Sequence, residues 1–371
     1  MKLAFITGSL APGRDGVGDY ARTLGLTCAA AGHDVRWVSL AEPEEPGADD
    51  PRILRLSDAA VRADGGAAAR RWLAEFAPDW TSLHFVPYSF DPRGLFGARV
   101  PLLADLLHTA PRRHIFFHEV WIGVHRGASL KERLVGWAQQ RAVRALLRRS
   151  APDCVHTSTA CNVSVLAGVG QRAGRLPMFG SVPAVAAPVP EAIDGVPSDA
   201  LVCGLFGSLH PNWQPEAFLG DFERLARALG RPAAFVTAGG IGPGGPLLAQ
   251  IEERWRGRIT FVRLGRCSTE RLAEVFARFD FAVTSMPWNI LGKSSSAAAL
   301  REHGVKVVAT AAGDPPRGVP LPPDDTAEDP GFVPYFRDPA RLADAPGHTA
   351  PRPGVPAIAR QFLADLEQHE R

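Results

Sequence analysis

The chain is short of several residue types, and each shortage excludes something. Only four lysines stand among 41 basic residues, so arginine carries nearly all the positive charge. Cysteine occurs five times, at Cys28, Cys154, Cys161, Cys203 and Cys267. The number is odd and no two stand in CxxC spacing, which argues against a disulfide framework and paired-cysteine motifs. Reduced thiols in a cytoplasmic protein fit better. No apolar run reaches the ~20 residues of a membrane span. The opening "MKLAFITGSLAPG" breaks at Gly8 and reads as a first buried strand, not a signal segment. Formal net charge is +2, with 41 basic against 39 acidic residues, so nothing global attracts nucleic acid.

What is present is length, apolarity and rhythm. The 371 residues are 46% hydrophobic, enough for two packed domains. Arginine-rich, lysine-poor usage reads as coding bias more than function, and a GC-rich bacterial source is the expectation it raises. Short Val/Ile/Leu/Phe runs alternate with longer amphipathic stretches: "KLAFITG", "DVRWVSL", "RILRLS", "DWTSLHFV", "RHIFFHE", "DCVHTS". After "SVPAVAAPVPEAIDGVPSD" they resume as "ALVCGLFG", "AAFVTAGG", "ITFVRLG", "DFAVTSM", "VKVVAT". Runs of this kind suit parallel strands buried on both faces, with crossover helices between them. One such helix is "DYARTLGLTCAAAGH", with Tyr20, Leu24, Cys28 and Ala31 on one face and Gly32 closing it. The residues from 314 to 354 are Pro-rich and read as irregular, and the chain ends in a helical pattern. The expectation is α/β, two doubly wound halves.

Open α/β sheets bind ligands at the carboxyl ends of their strands, so the loops there matter most. After the first strand, Gly16-Val-Gly18-Asp-Tyr-Ala21 matches the G-x-G-x-x-A dinucleotide pattern, with Glu42 placed as a ribose acid. The match is weakened because Gly16 lies well beyond the strand end. His84 and Tyr88 follow the fourth strand; His118, Glu119 and Trp121 follow the fifth. A histidine there can hydrogen-bond or protonate a polar ligand. In the second half, Gly207 and Ser208, then Gly265, Arg266 and Glu270, occupy equivalent loops. "WNILGKSSSAAALREHG" lacks the first glycine of a Walker loop, where Pro287 stands. Gly292, Lys293, Ser294 and Ser295 nevertheless place an ammonium and free amides at a helix start, which makes an anion site. "SLKERLVGWAQQRAVRALLRRS" reads as a basic helix able to touch a membrane surface.

In order and spacing, these pieces resemble a glycosyltransferase of the GT-B fold, closest to family 4. "PGRDGVGDYARTLGLTCAAAGHDVRWVSL" is similar to the family's glycine-rich first loop, helix and second strand. "ITFVRLGRCSTERLAEVFARFDFAVTSMP" and "GKSSSAAALREHGVKVVAT" resemble its donor-side passages. The resemblance covers nearly the whole chain. It implies two Rossmann-like domains facing a cleft: an acceptor side over 1–190, a donor domain over 191–350, and a terminal helix over 351–371 packing back on the first domain. It implies transfer of a sugar from a UDP- or GDP-sugar to the hydroxyl of a glycan, lipid-linked or small-molecule acceptor. No metal and no cofactor beyond that co-substrate are implied, and peripheral contact at the inner membrane face is a further expectation. The roles that follow are catalytic for His118, Lys293 and Asp19. Donor contacts fall to Gly16, Gly18, Gly207, Ser208, Gly265, Arg266, Glu270, Gly292, Ser294 and Ser295. Acceptor contacts fall to His84, Tyr88, Glu119 and Trp121. The sequence departs from the family at Leu291 and Ala299, where two glutamates are usual, and at Ser208 and Trp213, where an arginine and a lysine are usual. Rival readings are a non-catalytic GT-B subunit, a nicotinamide-dependent oxidoreductase and a nucleotide-sugar epimerase.

Overall fold

Parallel strands, buried on both faces, frame each half of the chain. The computed structural model describes residues 1–13, 16–43, 50–184, 190–319, 329–352 and 354–369. Residues 185–189 of the "SVPAVAAPVPEAIDGVPSD" stretch between the halves, and 320–328 of the Pro-rich piece, lie outside these. The described chain separates into two compact units. The first comprises Met1–Pro177, Asp314–Pro322 and Val355–Arg371; the second comprises Met178–Gly313 and Pro323–Gly354. The boundary expected at 190 thus falls inside the second unit.

The first unit holds β1 (Lys2–Thr7), α1 (Gly16–Ala30), β2 (Asp34–Glu42), β3 (Ile53–Ser57), α2 (Asp58–Asp64), α3 (Ala67–Phe76), β4 (Trp80–Phe85), α4 (Val100–Leu107), β5 (Arg112–Phe117), α5 (Leu130–Ser150), β6 (Cys154–Thr157), α6 (Ala160–Ala167) and β7 (Gly174–Arg175). Its seven strands lie in the order β3-β2-β1-β4-β5-β6-β7, every pairing parallel. The order reverses direction between β1 and β4, and the β1–α1 loop sits at that switch point. Continuous apolar runs explain the packing. Phe5, Trp37, Trp80, Phe85, Phe116 and Phe117 are fully buried. Helix α1 approaches β2 so closely that a Cβ on Gly25 would lie 2.6 Å from the Trp37 ring.

The second unit holds β8 (Leu201–Phe206), α7 (Glu216–Ala228), β9 (Ala233–Ala238), α8 (Gly245–Arg254), β10 (Thr260–Arg263), α9 (Thr269–Arg278), β11 (Phe281–Thr284), α10 (Ser295–Glu302), β12 (Val307–Ala309) and β13 (Phe332–Pro334). The sheet order is β10-β9-β8-β11-β12-β13, again parallel, with the reversal between β8 and β11. Strand β13 corrects the sequence reading, which has this stretch as irregular. Three residues ending in proline make too short a run to stand out, yet Val307, Val308 and Ala309 pair with Phe332, Val333 and Pro334. The final helix, α11 (Gly354–Gln368), belongs almost wholly to the first unit. Its Phe362 packs against Phe5 and His114, and Gln361 donates to the Arg175 carbonyl.

Candidate functional site

In the second unit three strand ends turn on left-handed glycines: Gly207 (φ 87°) after β8, Gly239 (φ 85°) after β9 and Gly265 (φ 66°) after β10. Only glycine adopts such backbone without strain. The turns are stitched side by side. The Gly207 N–H donates to the Ala238 carbonyl at 2.9 Å, and the Gly239 N–H donates to the Gly265 carbonyl at 2.7 Å. A Cβ on Gly207 would lie 2.4 Å from the Ser296 hydroxyl, so this loop lies directly on the first turn of α10. Ser294 caps that helix by accepting the Ala297 N–H at 3.1 Å. Lys293 ends the 3₁₀ turn Trp288–Lys293, which also contains Gly292, immediately before the cap. The structure therefore brings Gly207 to the helix start that carries Lys293, Ser294 and Ser295. An N-terminal helix end with a cation beside it favours an anion.

Ser208 is exposed, as are Gly265, Arg266 and Glu270. Glu270 is held below the usual carboxylate range by its own backbone N–H and by the Ser268 hydroxyl, which caps α9. Trp213 is buried, and its indole N–H donates to Thr310 Oγ1 at 2.8 Å, so it anchors the β8–α7 loop. The positions of the two absent glutamates are packed ones. Leu291 is 1% exposed, and Ala299 lies against Gly180 so tightly that a Cβ there would meet the Ala299 Cα at 2.5 Å. Glu302 is buried one turn on and accepts the Gly180 N–H at 2.7 Å. Burial pushes its carboxyl up to about 7, against the pull of that hydrogen bond.

In the first unit Glu42 corrects the dinucleotide reading. It is 3% exposed, and its carboxylate accepts from Ser9 Oγ (2.8 Å), the Leu10 N–H (2.7 Å), Ser39 Oγ (2.5 Å) and both Arg55 Nε and Nη2 (3.2 and 3.1 Å). Burial opposes its ionisation, but these donors outweigh it and hold the carboxyl below its ordinary value. An acid so occupied has nothing left for a ribose; it fastens the β1–α1 loop. The two glycines of the motif differ. A Cβ on Gly18 would sit 2.0 Å from the Ser9 carbonyl oxygen, whereas Gly16 faces open space. Asp19 accepts the Gly13 N–H through both oxygens, at 3.2 and 3.1 Å, so its carboxylate also secures this loop.

His84 and His118 meet at the ends of β4 and β5, His84 Nδ1 lying 3.0 Å from His118 Nε2. The two rings are 0% and 6% exposed and pack on Tyr20 and Phe116. Burial lowers His84 to about 3 and, with His84 adding to it, lowers His118 well below 6.5. Both are neutral imidazoles at physiological pH. His118 can orient a hydroxyl by hydrogen bonding but does not offer an imidazolium. Tyr88 is 42% exposed in the turn after β4, and Glu119 is half-buried. Trp121 lines a cavity of about 250 Å³ with Arg133, Trp137, Gln140 and Arg317. The reading from sequence misses that His84 touches His118. Polar residues at every second position of neighbouring strands are the available signal, because such residues share one sheet face.

Helix α5 begins with a capping box, Ser129 and Glu132. Leu130, Leu134 and Trp137 on it are 74%, 70% and 59% exposed. Arg141, Arg144 and Arg148, all exposed, continue the same stripe at spacings of four and three. The Arg141 guanidinium lies 5.0 Å over the Trp137 ring. A groove of about 490 Å³ runs beside these residues.

No protein-family model matches the chain, and no curated protein matches it in sequence. Solved structures do. Anabaena Alr3699/HepE in complex with UDP aligns at a TM-score of 0.57 and 15% identity, over 99% of this chain and 100% of that one. The catalytic domain of starch synthase IV from Arabidopsis thaliana, bound to ADP and acarbose, aligns at 0.57 and 13%, over 100% and 99%. The fold is GT-B. GT-B architecture is not tied to one reaction: a Listeria monocytogenes protein carrying the name UDP-N-acetylglucosamine 2-epimerase aligns at 0.54 and 12%, over 100% and 96%. On this GT-B frame the Gly207 turn after β8 and the start of α10 after β11 lie at the β8/β11 switch point, where open α/β sheets take ligands.

Proposed function

We propose that the protein transfers a sugar from a nucleoside-diphosphate donor to an acceptor hydroxyl. One observation carries the proposal. Three adjacent strand ends turn on left-handed glycines, and the first of them rests on a helix start that bears Lys293. Close-approaching backbone, unbonded helix amides and one ammonium suit a pyrophosphate. Charge on that group grows as the glycosidic bond to it breaks, so donors aimed there stabilise the transition state more than the ground state. Lys293, Ser294, Ser295 and Gly207 hold the diphosphate in this reading, with Gly265, Arg266 and Glu270 towards the nucleoside. UDP or GDP is the expected carrier. His118, as a neutral hydrogen-bonding ring backed by His84, orients the acceptor, with Tyr88, Glu119 and Trp121 around it.

The test is differential. Thermal stabilisation by UDP and GDP is expected to exceed that by the nucleosides, and Lys293→Ala should remove most of the difference. Equal losses for diphosphate and nucleoside would sink the pyrophosphate role. Stabilisation by NADH alone would support the oxidoreductase, donor conversion without acceptor the epimerase, and binding without turnover the non-catalytic subunit.

The acceptor side has its own supporting observation. An exposed stripe whose first half is Leu130, Leu134 and Trp137 and whose second half is three arginines suits an anionic bilayer surface. The acceptor is then lipid-linked. Co-sedimentation with vesicles containing phosphatidylglycerol, lost in Leu134→Glu/Trp137→Glu, is the expected result; equal binding by the variant would refute it.

A further inference from the structure

Four histidines occupy one face of the first sheet, and two have no part in the proposed transfer. His114 on β5 stands opposite Cys154 on β6, and His156 lies two residues further along β6. His114 Nε2 and His156 Nδ1 are 3.0 Å apart, and Cys154 Sγ is 3.7 Å from the same His156 nitrogen. All three residues are buried, and their donor atoms lie within 4.8 Å of one another. Among the described residues this is the only such group of three histidine, cysteine or carboxylate side chains.

We propose that His114, Cys154 and His156 bind a single zinc ion. Two nitrogens and a thiolate on a tetrahedral Zn²⁺, at ~2.05 and ~2.3 Å from the metal, are separated by ~3.3 Å (N to N) and ~3.6 Å (N to S). The nitrogen–nitrogen and nearer nitrogen–sulfur spacings fit this; Cys154 Sγ, also 4.0 Å from His156 Nε2, lies almost equally far from both ring nitrogens and has to turn about its Cα–Cβ bond to face the metal. The ring atoms that face away from the convergence point are also occupied. His114 Nδ1 is 2.7 Å from the buried Ser82 hydroxyl, and His156 Nε2 is 3.1 Å from Asp365 Oδ2 on α11. Metal-bound histidines characteristically direct their second nitrogen to such a partner, which fixes tautomer and orientation. The fourth position is left to water. Asp365 comes from the far end of the chain, so the ion would fasten α11 to β5 and β6, as a structural metal couples to folding. Without metal, the same atoms form a hydrogen-bonded chain in which His114 Nε2 donates to His156 Nδ1, with the Cys154 thiol beside the His156 ring. The site is independent of the sugar-transfer reading.

The full-length protein, stripped with chelator and titrated with Co²⁺ alone, should take up one equivalent. It should develop a sulfur-to-cobalt charge-transfer band that added Zn²⁺ abolishes. Cys154→Ser should lose that band, while the more exposed Cys267→Ser keeps it. Asp365→Asn, a positioning change, should weaken affinity about 10- to 100-fold with the band intact. A wild-type spectrum without the band, or a Cys154→Ser spectrum matching wild type, would overturn the proposal. Should Cys154→Ser fail to fold, zinc-edge X-ray absorption on the wild-type chain decides instead. One sulfur and at least two imidazoles support the site; a shell of oxygen and nitrogen only, or no zinc uptake, rejects it.

Discussion

Two buried glutamates, Glu42 at the end of β2 in the first unit and Glu302 at the end of α10 in the second, are treated oppositely. Glu42 is surrounded by two hydroxyls, a backbone N–H and a two-pronged guanidinium, and stays ionised. Glu302 accepts one backbone N–H and, among the described residues, forms no ion pair, and burial carries its carboxyl to about 7. The same residue type therefore serves as a charged clamp in one unit and as a buried carboxyl that titrates near neutrality in the other. What separates them is the count of donors supplied by distant segments, because a buried carboxylate is tolerated only when donors and charge compensate its lost hydration.

The largest effect should come from breaking the clamp. Glu42→Ala leaves Arg55, Ser9, Leu10 and Ser39 without their acceptor and should cost ~3–5 kcal/mol, read by chemical denaturation. The stability contributed by Glu42 is present above the unfolded carboxyl pKa and is lost as the pH falls, since its folded pKa is depressed. Glu302 has the reverse sign. Its folded pKa is raised, so its contribution is fully present below about 4.5 and declines as the pH rises towards about 7. The decline is on the order of 3 kcal/mol and levels off above that range. Glu302→Gln should flatten this slope; hydrogen exchange of peptides spanning Gly180 and Glu302 from pH 4.5 to 8 would show it. An unchanged slope would mean the carboxyl is not the titrating group.

Two glycine pairs sharpen the contrast between the loops. Gly18→Ala should destabilise the first unit by ~1–3 kcal/mol, because its methyl would collide with the Ser9 carbonyl. Gly16→Ala, facing open space, should be close to neutral in the same denaturation experiment. In the second unit Gly207→Ala combines a positive φ with a contact on Ser296 and should weaken UDP or GDP binding by ~1–2 kcal/mol in calorimetry. Gly230→Ala, at a positive φ but with nothing nearby, should leave binding unchanged.

Much of the fold is legible in the chain. Eleven apolar runs mark eleven strands, because a parallel strand covered on both faces must be apolar throughout. β7 and β13, with two and three residues, carry too little pattern to be seen. The candidate site is legible only in part. Lys293 and the serine cap announce a helix start, and Gly207 is one of several glycines after strands. That Gly207 rests on Ser296, and that Gly18 rather than Gly16 is sterically required, depends on which backbone lies opposite. Glu42 shows the same limit: its place at the end of β2 suits a ribose acid, but five donors, four of them from two other segments, claim it first.

By itself, the sequence determined the α/β alternation, the strand-end glycines and the helix caps, since these follow from periodicities and conformational preferences within a few residues. Only the tertiary structure decided how the polar groups are shared. Ser82, His114, His156 and Asp365 converge across separations of up to 209 residues. No local preference encodes such a meeting; it arises when parallel pairing sets the strands in register and the last helix closes over them.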